Sequence, residues 1–135
     1  MCGRFVQSSP VDEMQEIFGF PETPNLAPRY NIAPTTNIAA IRRGEEGGPH
    51  LFTARWGLIP AWAPAPDIST HMFNARSETV REKPAFRAAF ESRRCLIPAN
   101  GFYEWEKADS RTRQPWFIHV RGRPLIAFAG LWESW

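Results

Sequence analysis

The chain has 135 residues, 43% hydrophobic and 22% charged, with a formal net charge of +2. A chain of that length makes one domain and buries about two thirds of its unfolded surface, and so small a charge does not by itself call for nucleic acid. No run approaches the ~18 apolar residues of a membrane span, and no basic stretch followed by an apolar one opens the chain, so no membrane partner, a cytoplasmic location and reduced thiols at Cys2 and Cys95 are expected.

In chain order, GRFVQ reads as a short strand. SPVDEMQEIFGF reads as a helix, with Ser9 as N-cap, Pro10 at the first helical position, acids in the first turn and Gly19 as the stop. Met14, Ile17 and Phe18 share one face and are expected in the core. PETPNLAPRYNIAPTT holds too much proline for a helix or a central strand, so it is expected as an ordered surface loop. TNIAAIRR and PHLFTARWG read as a hairpin turned by GEEGG. GLIPAWAPAPDIST is a second proline-rich loop that carries Trp62.

SETVREKPAFRAAFESRR holds helical stretches interrupted at Pro84, and RCLIPANGFYEWEK is a strand broken near Pro98–Gly101. QPWFIHV and PLIAFAGLWE are strands joined by RGR. The class is therefore α+β, mostly antiparallel sheet with two or three short helices. The chain stops on an apolar, aromatic strand, whereas domain ends are usually polar. It is expected to be the front portion of a longer protein.

The cations are almost all arginine, with only Lys83 and Lys107 otherwise. Positions 76–95 hold Arg76, Arg81, Lys83, Arg87, Arg93 and Arg94 against Glu78, Glu82 and Glu91. This stretch fits a solvated helical face or a track for phosphates.

Chemistry centres on MCGRF. Removal of Met1 would leave Cys2 with a free α-amine and a thiol on neighbouring carbons. Before perturbation their pKa values are about 8 and 8.5, so both act as nucleophiles near neutral pH. Gly3 admits close approach of a ligand, and Arg4 puts a cation beside the thiol, which favours thiolate. Against an amide or ester the thiol attacks and the amine serves as base. Against an aldehyde the amine forms a Schiff base and the thiol closes a thiazolidine. NARSET offers Asn74, Arg76 and Glu78 as partners, and GFYEWEK offers Glu104 and Glu106. If Phe102 is buried, Glu104 points inward with it and handles protons. The alternative puts Tyr103 and Trp105 in the core and Glu104 in solvent. His50, His71 and His119 have no metal-ligand spacing with the cysteines, so they read as surface residues, and neither metal nor cofactor is expected.

MCGRF, RYNIAP at 29–34, RWGLIPAW at 55–62, NARSET at 74–79, RRCLIPANGFYEW at 93–105 and AGLWE at 129–133 resemble, in order, the blocks of the SRAP family. These are the SOS-response-associated peptidase-like proteins that crosslink to abasic sites in DNA. The likeness spans nearly the whole chain. It implies a barrel-like SRAP fold over residues 1–135, as one domain lacking the family's C-terminal portion. It implies that a monomer captures abasic sites in single-stranded DNA through a Cys2 thiazolidine, protecting the lesion, with weak strand cleavage and self-processing peptidase activity as side reactions.

Carried over, the catalytic residues are Cys2, Asn74 on the Cys2 amine or the sugar, and Glu104 as proton shuttle. Arg4 and Arg76 would bind phosphates, Trp62 and Trp105 would stack on bases, and Pro34 would shape the loop lining the site. Ala63 stands where some relatives carry a second aromatic. No histidine here lies in the family's I-H-D-R-M-P-like context, which in the family helps acid–base steps. An N-terminal-nucleophile amidohydrolase and a binding module without chemistry are the competing readings.

Overall fold

A computed structural model describes residues 2–107 and 112–135. Met1, on whose removal the expected Cys2 chemistry depends, lies outside the described residues. The strands are β1 (Arg4–Gln7), β2 (Arg29–Ile32), β3 (Asn37–Arg43), β4 (Pro49–Arg55), β5 (Arg94–Ala99), β6 (Gly101–Lys107), β7 (Arg113–Ile118) and β8 (Ile126–Leu131). The helices are α1 (Val11–Phe18) and α2 (Pro84–Ser92), with a short 3-10 turn at Pro66–Thr70. The strands pair antiparallel in two sheets of four, in the orders β2-β1-β6-β7 and β4-β3-β5-β8. The α+β class stands as expected. The barrel-like closure does not: β2, β7, β4 and β8 each have one strand neighbour, so both sheets stay open.

The break expected near Pro98–Gly101 is the crossing between the sheets. Only Asn100 separates β5 from β6, and its side chain clamps the corner. Its Oδ1 accepts from the Ser8 and Ser9 N–H groups, and its Nδ2 donates to Ser9 Oγ and the Pro124 carbonyl. A buried Gln7 fills the adjoining gap in the ladder. Its Nε2 donates to the carbonyls of Ala39 and Pro98 at 3.0 and 2.9 Å, and its Oε1 accepts from the Ala39 N–H. Gln7→Leu would keep the volume and strand these buried backbone groups, each costing ~1–3 kcal/mol unpaired. The expected loss is about 2 kcal/mol of unfolding free energy, read by urea denaturation.

Phe5 and Ile32 from the first sheet meet Ile38 and Ala99 from the second, with Trp56 closing the cluster. The Phe5 ring stands edge-on to Trp56 and Phe128, at 5.1 and 5.7 Å. The other face of the second sheet takes α1 and the residues that follow it, through Met14 and Phe20 against Ile41 and Leu125. Residues 38–41 are therefore buried on both faces of β3, which explains an apolar run without alternation.

Four local expectations are corrected. Pro10, not Ser9, is the N-cap of α1, because Ser9 is engaged by Asn100. Ile17 is 57% exposed while Met14 is buried, since the helix presents a narrower stripe than its sequence offers. The loop reading of 21–36 misses β2, which as an edge strand tolerates flanking prolines. Pro84 starts α2 rather than interrupting a longer helix, as its fixed φ suits a first turn and disfavours helix at Lys83. Among the described residues no helix is long and apolar enough to cross a membrane.

Candidate active site

Cys2 sits two residues ahead of Arg4, where β1, an interior strand of the first sheet, begins, and is partly buried against the Phe5–Trp56 cluster. Its backbone carbonyl accepts a short hydrogen bond from Asn74 Nδ2. Its thiol donates to the Arg4 carbonyl at 3.2 Å. The loop after β4 delivers Asn74 over a separation of 72 residues. Gly57 turns the chain, the Leu58 N–H donates to the Met72 carbonyl at 3.0 Å, and Trp56 Nε1 donates to the Phe73 carbonyl at 2.7 Å. Trp56 and Phe73 also meet edge to face, with centroids 5.9 Å apart. The residue after Phe73 is thereby held over Cys2.

β6 runs antiparallel beside β1, with Phe102 opposite Phe5 and Tyr103 opposite Arg4. Alternation puts Phe102 and Glu104 on the face of Phe5 and Tyr103 and Trp105 on the other. The inward orientation of Glu104 is therefore the one adopted, and its charge is felt at the Cys2 thiol. Burial pushes that thiol above its ordinary value, the Arg4 backbone opposes the rise as the next largest influence, and the Glu104 carboxylate adds a smaller upward push. This corrects the expectation that Arg4 favours thiolate: its guanidinium donates to Asn31 Oδ1 at 3.1 Å instead. Cys95 is buried in the second sheet and pushed up to about 11, so it stays a thiol and offers no competing nucleophile. A Cβ at Gly3 would meet nothing within 4 Å, which leaves approach to Cys2 open on that side.

Arg4 and Trp105 share the outer face of the first sheet, with the Trp105 ring tilted on Tyr103 at 6.5 Å. Trp62 is 61% exposed in a turn held by the Ala63 N–H on the Pro60 carbonyl and by Trp135 Nε1 on the Ala63 carbonyl. Arg76 is exposed at the start of the turn that closes from the Thr79 N–H to its carbonyl. Pro34 lies in a turn pinned by the Thr35 N–H on the Trp56 carbonyl at 2.7 Å, so it approaches the cluster through Trp56. Of the basic stretch, Arg93 pairs with Glu133 at 2.8 Å and Arg81 lies over the Phe90 ring. His50 pairs with Glu22, whose carboxylate also accepts from the Leu51 N–H. The hydrogen bond to Leu51 leads in holding Glu22 below the usual carboxylate range.

Sequence reasoning missed Trp56 and Phe73, which position Asn74. Trp56 stood inside RWGLIPAW, but an apolar residue there looks like any core residue. It also missed a cavity of about 880 Å³ that opens beside Cys2 and Asn74 and runs across the second sheet toward Arg42 and Trp132. Among the described residues no group of three or more His, Cys, Asp or Glu side chains is placed to hold a metal ion.

This arrangement pairs a nucleophilic residue at a strand start with an amide clamp and a nearby carboxylate. The family model for SOS response associated peptidase (SRAP) matches residues 1–135. The chain is 46% identical to abasic site processing protein YoaM of Bacillus subtilis, with all of this chain aligned to 60% of that protein. It is 31% identical to abasic site processing protein YedK of Escherichia coli, over 96% of this chain and 59% of that one. The chain thus spans about 60% of the length of these relatives. Among solved structures, a Bacteroides thetaiotaomicron protein superposes with a TM-score of 0.83 at 24% identity, covering 97% of this chain and 61% of its own. A phage-related protein of Bordetella bronchiseptica gives 0.76 at 32% identity, covering 96% and 60%. With the family model matching residues 1–135 and relatives 46% and 31% identical along it, the chain belongs to the SRAP family.

Proposed function

We propose that this protein processes abasic sites in DNA, capturing the ring-opened sugar aldehyde on Cys2. The observation that carries the reading is the grouping of Cys2 with the Asn74 amide and the Glu104 charge at the start of β1. Relatives named as abasic site processing proteins support the same substrate. Loss of Met1 exposes the Cys2 amine, whose lone pair attacks the aldehyde carbon. Glu104 relays protons as water leaves and the imine forms. The thiol then adds to the imine carbon, its proton passing to nitrogen, and a five-membered thiazolidine results. Asn74, by fixing the Cys2 carbonyl, holds amine and thiol in one orientation, so less ordering entropy remains to be lost at ring closure. Arg4 and Arg76 contact phosphates and Trp62 and Trp105 stack on bases of a single strand, each base contributing about 1–3 kcal/mol. Transient imine also permits slow strand cleavage.

Intact mass spectrometry with and without a single-stranded oligonucleotide bearing one abasic site tests this directly. The expected masses are the chain lacking Met1 and that chain plus oligonucleotide minus one water. A chain without Met1 that forms no adduct refutes the reading. Glu104→Gln separates two roles of the carboxylate. Removing its charge lowers the thiol pKa, so the rate profile shifts to lower pH. Losing the proton relay cuts the plateau rate by about 10²-fold or more. Crosslinking rates across the pH range read both effects in one variant.

A further inference from the structure

The cavity beside Cys2 has a chemistry that capture of a sugar on a DNA strand does not use. Its walls are mainly apolar, with Ile38, Ala40 and Phe128 among them, and its volume of about 880 Å³ suits a small organic ligand. Cys2 lines the cavity and packs against the core cluster that includes Ile38. Arg42, also in the lining, lies over the Phe52 and Trp132 rings, at 5.0 and 4.4 Å from their centroids. Among the described residues no hydrogen bond or ion pair engages that guanidinium. Its planar fork is suited to a carboxylate. Ile38, Ala40 and Arg42 alternate onto one face of β3, with Ile38 and Arg42 about 13 Å apart along the strand.

We propose that Cys2 also captures medium-chain ω-oxo carboxylates, with the chain in this cavity and the carboxylate on Arg42. The inference rests on the reading that Cys2 has a free amine and reacts with aldehydes. The step is a condensation without redox change. The amine nitrogen bonds to the aldehyde carbon, the carbonyl oxygen leaves as water, and the sulfur closes on that carbon while its proton moves to nitrogen. Burial of the methylene chain favours this substrate over a short aldehyde. The Arg42 contact favours it over an uncharged aldehyde of equal length.

The test measures adduct formation by intact mass on the full chain lacking Met1. The probes are propanal, nonanal and azelaic semialdehyde, and each rate is divided by that of the free peptide Cys-Gly-Arg-Phe. An abasic oligonucleotide is run in parallel. Azelaic semialdehyde is expected to exceed propanal about tenfold or more, as one charge-assisted contact and the buried chain allow. Arg42→Ala should erase its advantage over nonanal, and Ala40→Phe should fill the cavity and erase the advantage of both over propanal. Neither substitution should change the rate on DNA, which also shows that the variants fold. Equal normalised rates for all three aldehydes, or an Arg42→Ala protein with unchanged preference, overturn the proposal while leaving the DNA reading intact. Absence of any adduct with DNA and aldehydes alike defeats both.

Discussion

Replacing Cys2 with alanine is expected to abolish the heat-stable adduct with abasic-site DNA, a loss of at least about 10³-fold in yield per unit time. The amine of the new first residue still condenses with the aldehyde, but nothing closes the ring, and an open imine returns to amine and aldehyde in water. Borohydride distinguishes the two stages: added during the reaction it should trap the alanine variant on DNA, and without it no adduct should survive heating. The fold should tolerate the change. Cys2 is only partly buried at the edge of the Phe5–Trp56 cluster, and deleting one sulfur there costs less than the 2–5 kcal/mol typical of a buried Leu→Ala. Equal heat-stable adduct from this variant would move the nucleophile elsewhere in the chain.

Gly57→Ala should be the most damaging single change far from the reacting atoms. Gly57 has φ of 135°, a conformation nearly closed to residues with a side chain. A Cβ there would stand 2.5 Å from the Ser69 carbonyl oxygen, which is backbone and cannot rotate away. The strain and the clash together predict a loss of about 3–5 kcal/mol, against a whole-domain stability of roughly 5–15 kcal/mol. Thermal denaturation should show Tm lowered by roughly 10 °C or more. The variant also tests how Asn74 is held, because Gly57 begins the loop that Leu58 and Met72 tie back and that carries Asn74 to the Cys2 carbonyl. Crosslinking measured well below the melting temperature should fall even where the protein remains folded.

Much of the architecture could be read from local pattern. The hairpin of β3 and β4 follows from two apolar runs around GEEGG, and α1 follows from its spacing and Gly19. Those signals depend on neighbours within a few residues, so chain order carries them. β2 was hidden because its status as a strand depends on β1 being free to pair with it, and proline-rich sequence argues against an interior strand but not against an edge. Ile17 and Met14 looked alike for the same reason: only packing against the second sheet separates them.

For the site, chain order places Cys2 next to Met1, where loss of one residue would pair an amine with the thiol, and it carries the succession of blocks that marks the family. The face that Glu104 takes is open in sequence, because an alternating strand has two faces and only the pairing of Phe102 with Phe5 says which is inner. Tertiary structure alone brought Asn74 onto the Cys2 carbonyl, turned the Arg4 guanidinium away to Asn31, and raised the thiol where a neighbouring cation suggested the reverse. Each of these depends on which groups far apart along the chain the fold brings together, and for the thiol on how deeply it is buried, and a linear sequence does not state which charges and donors will meet.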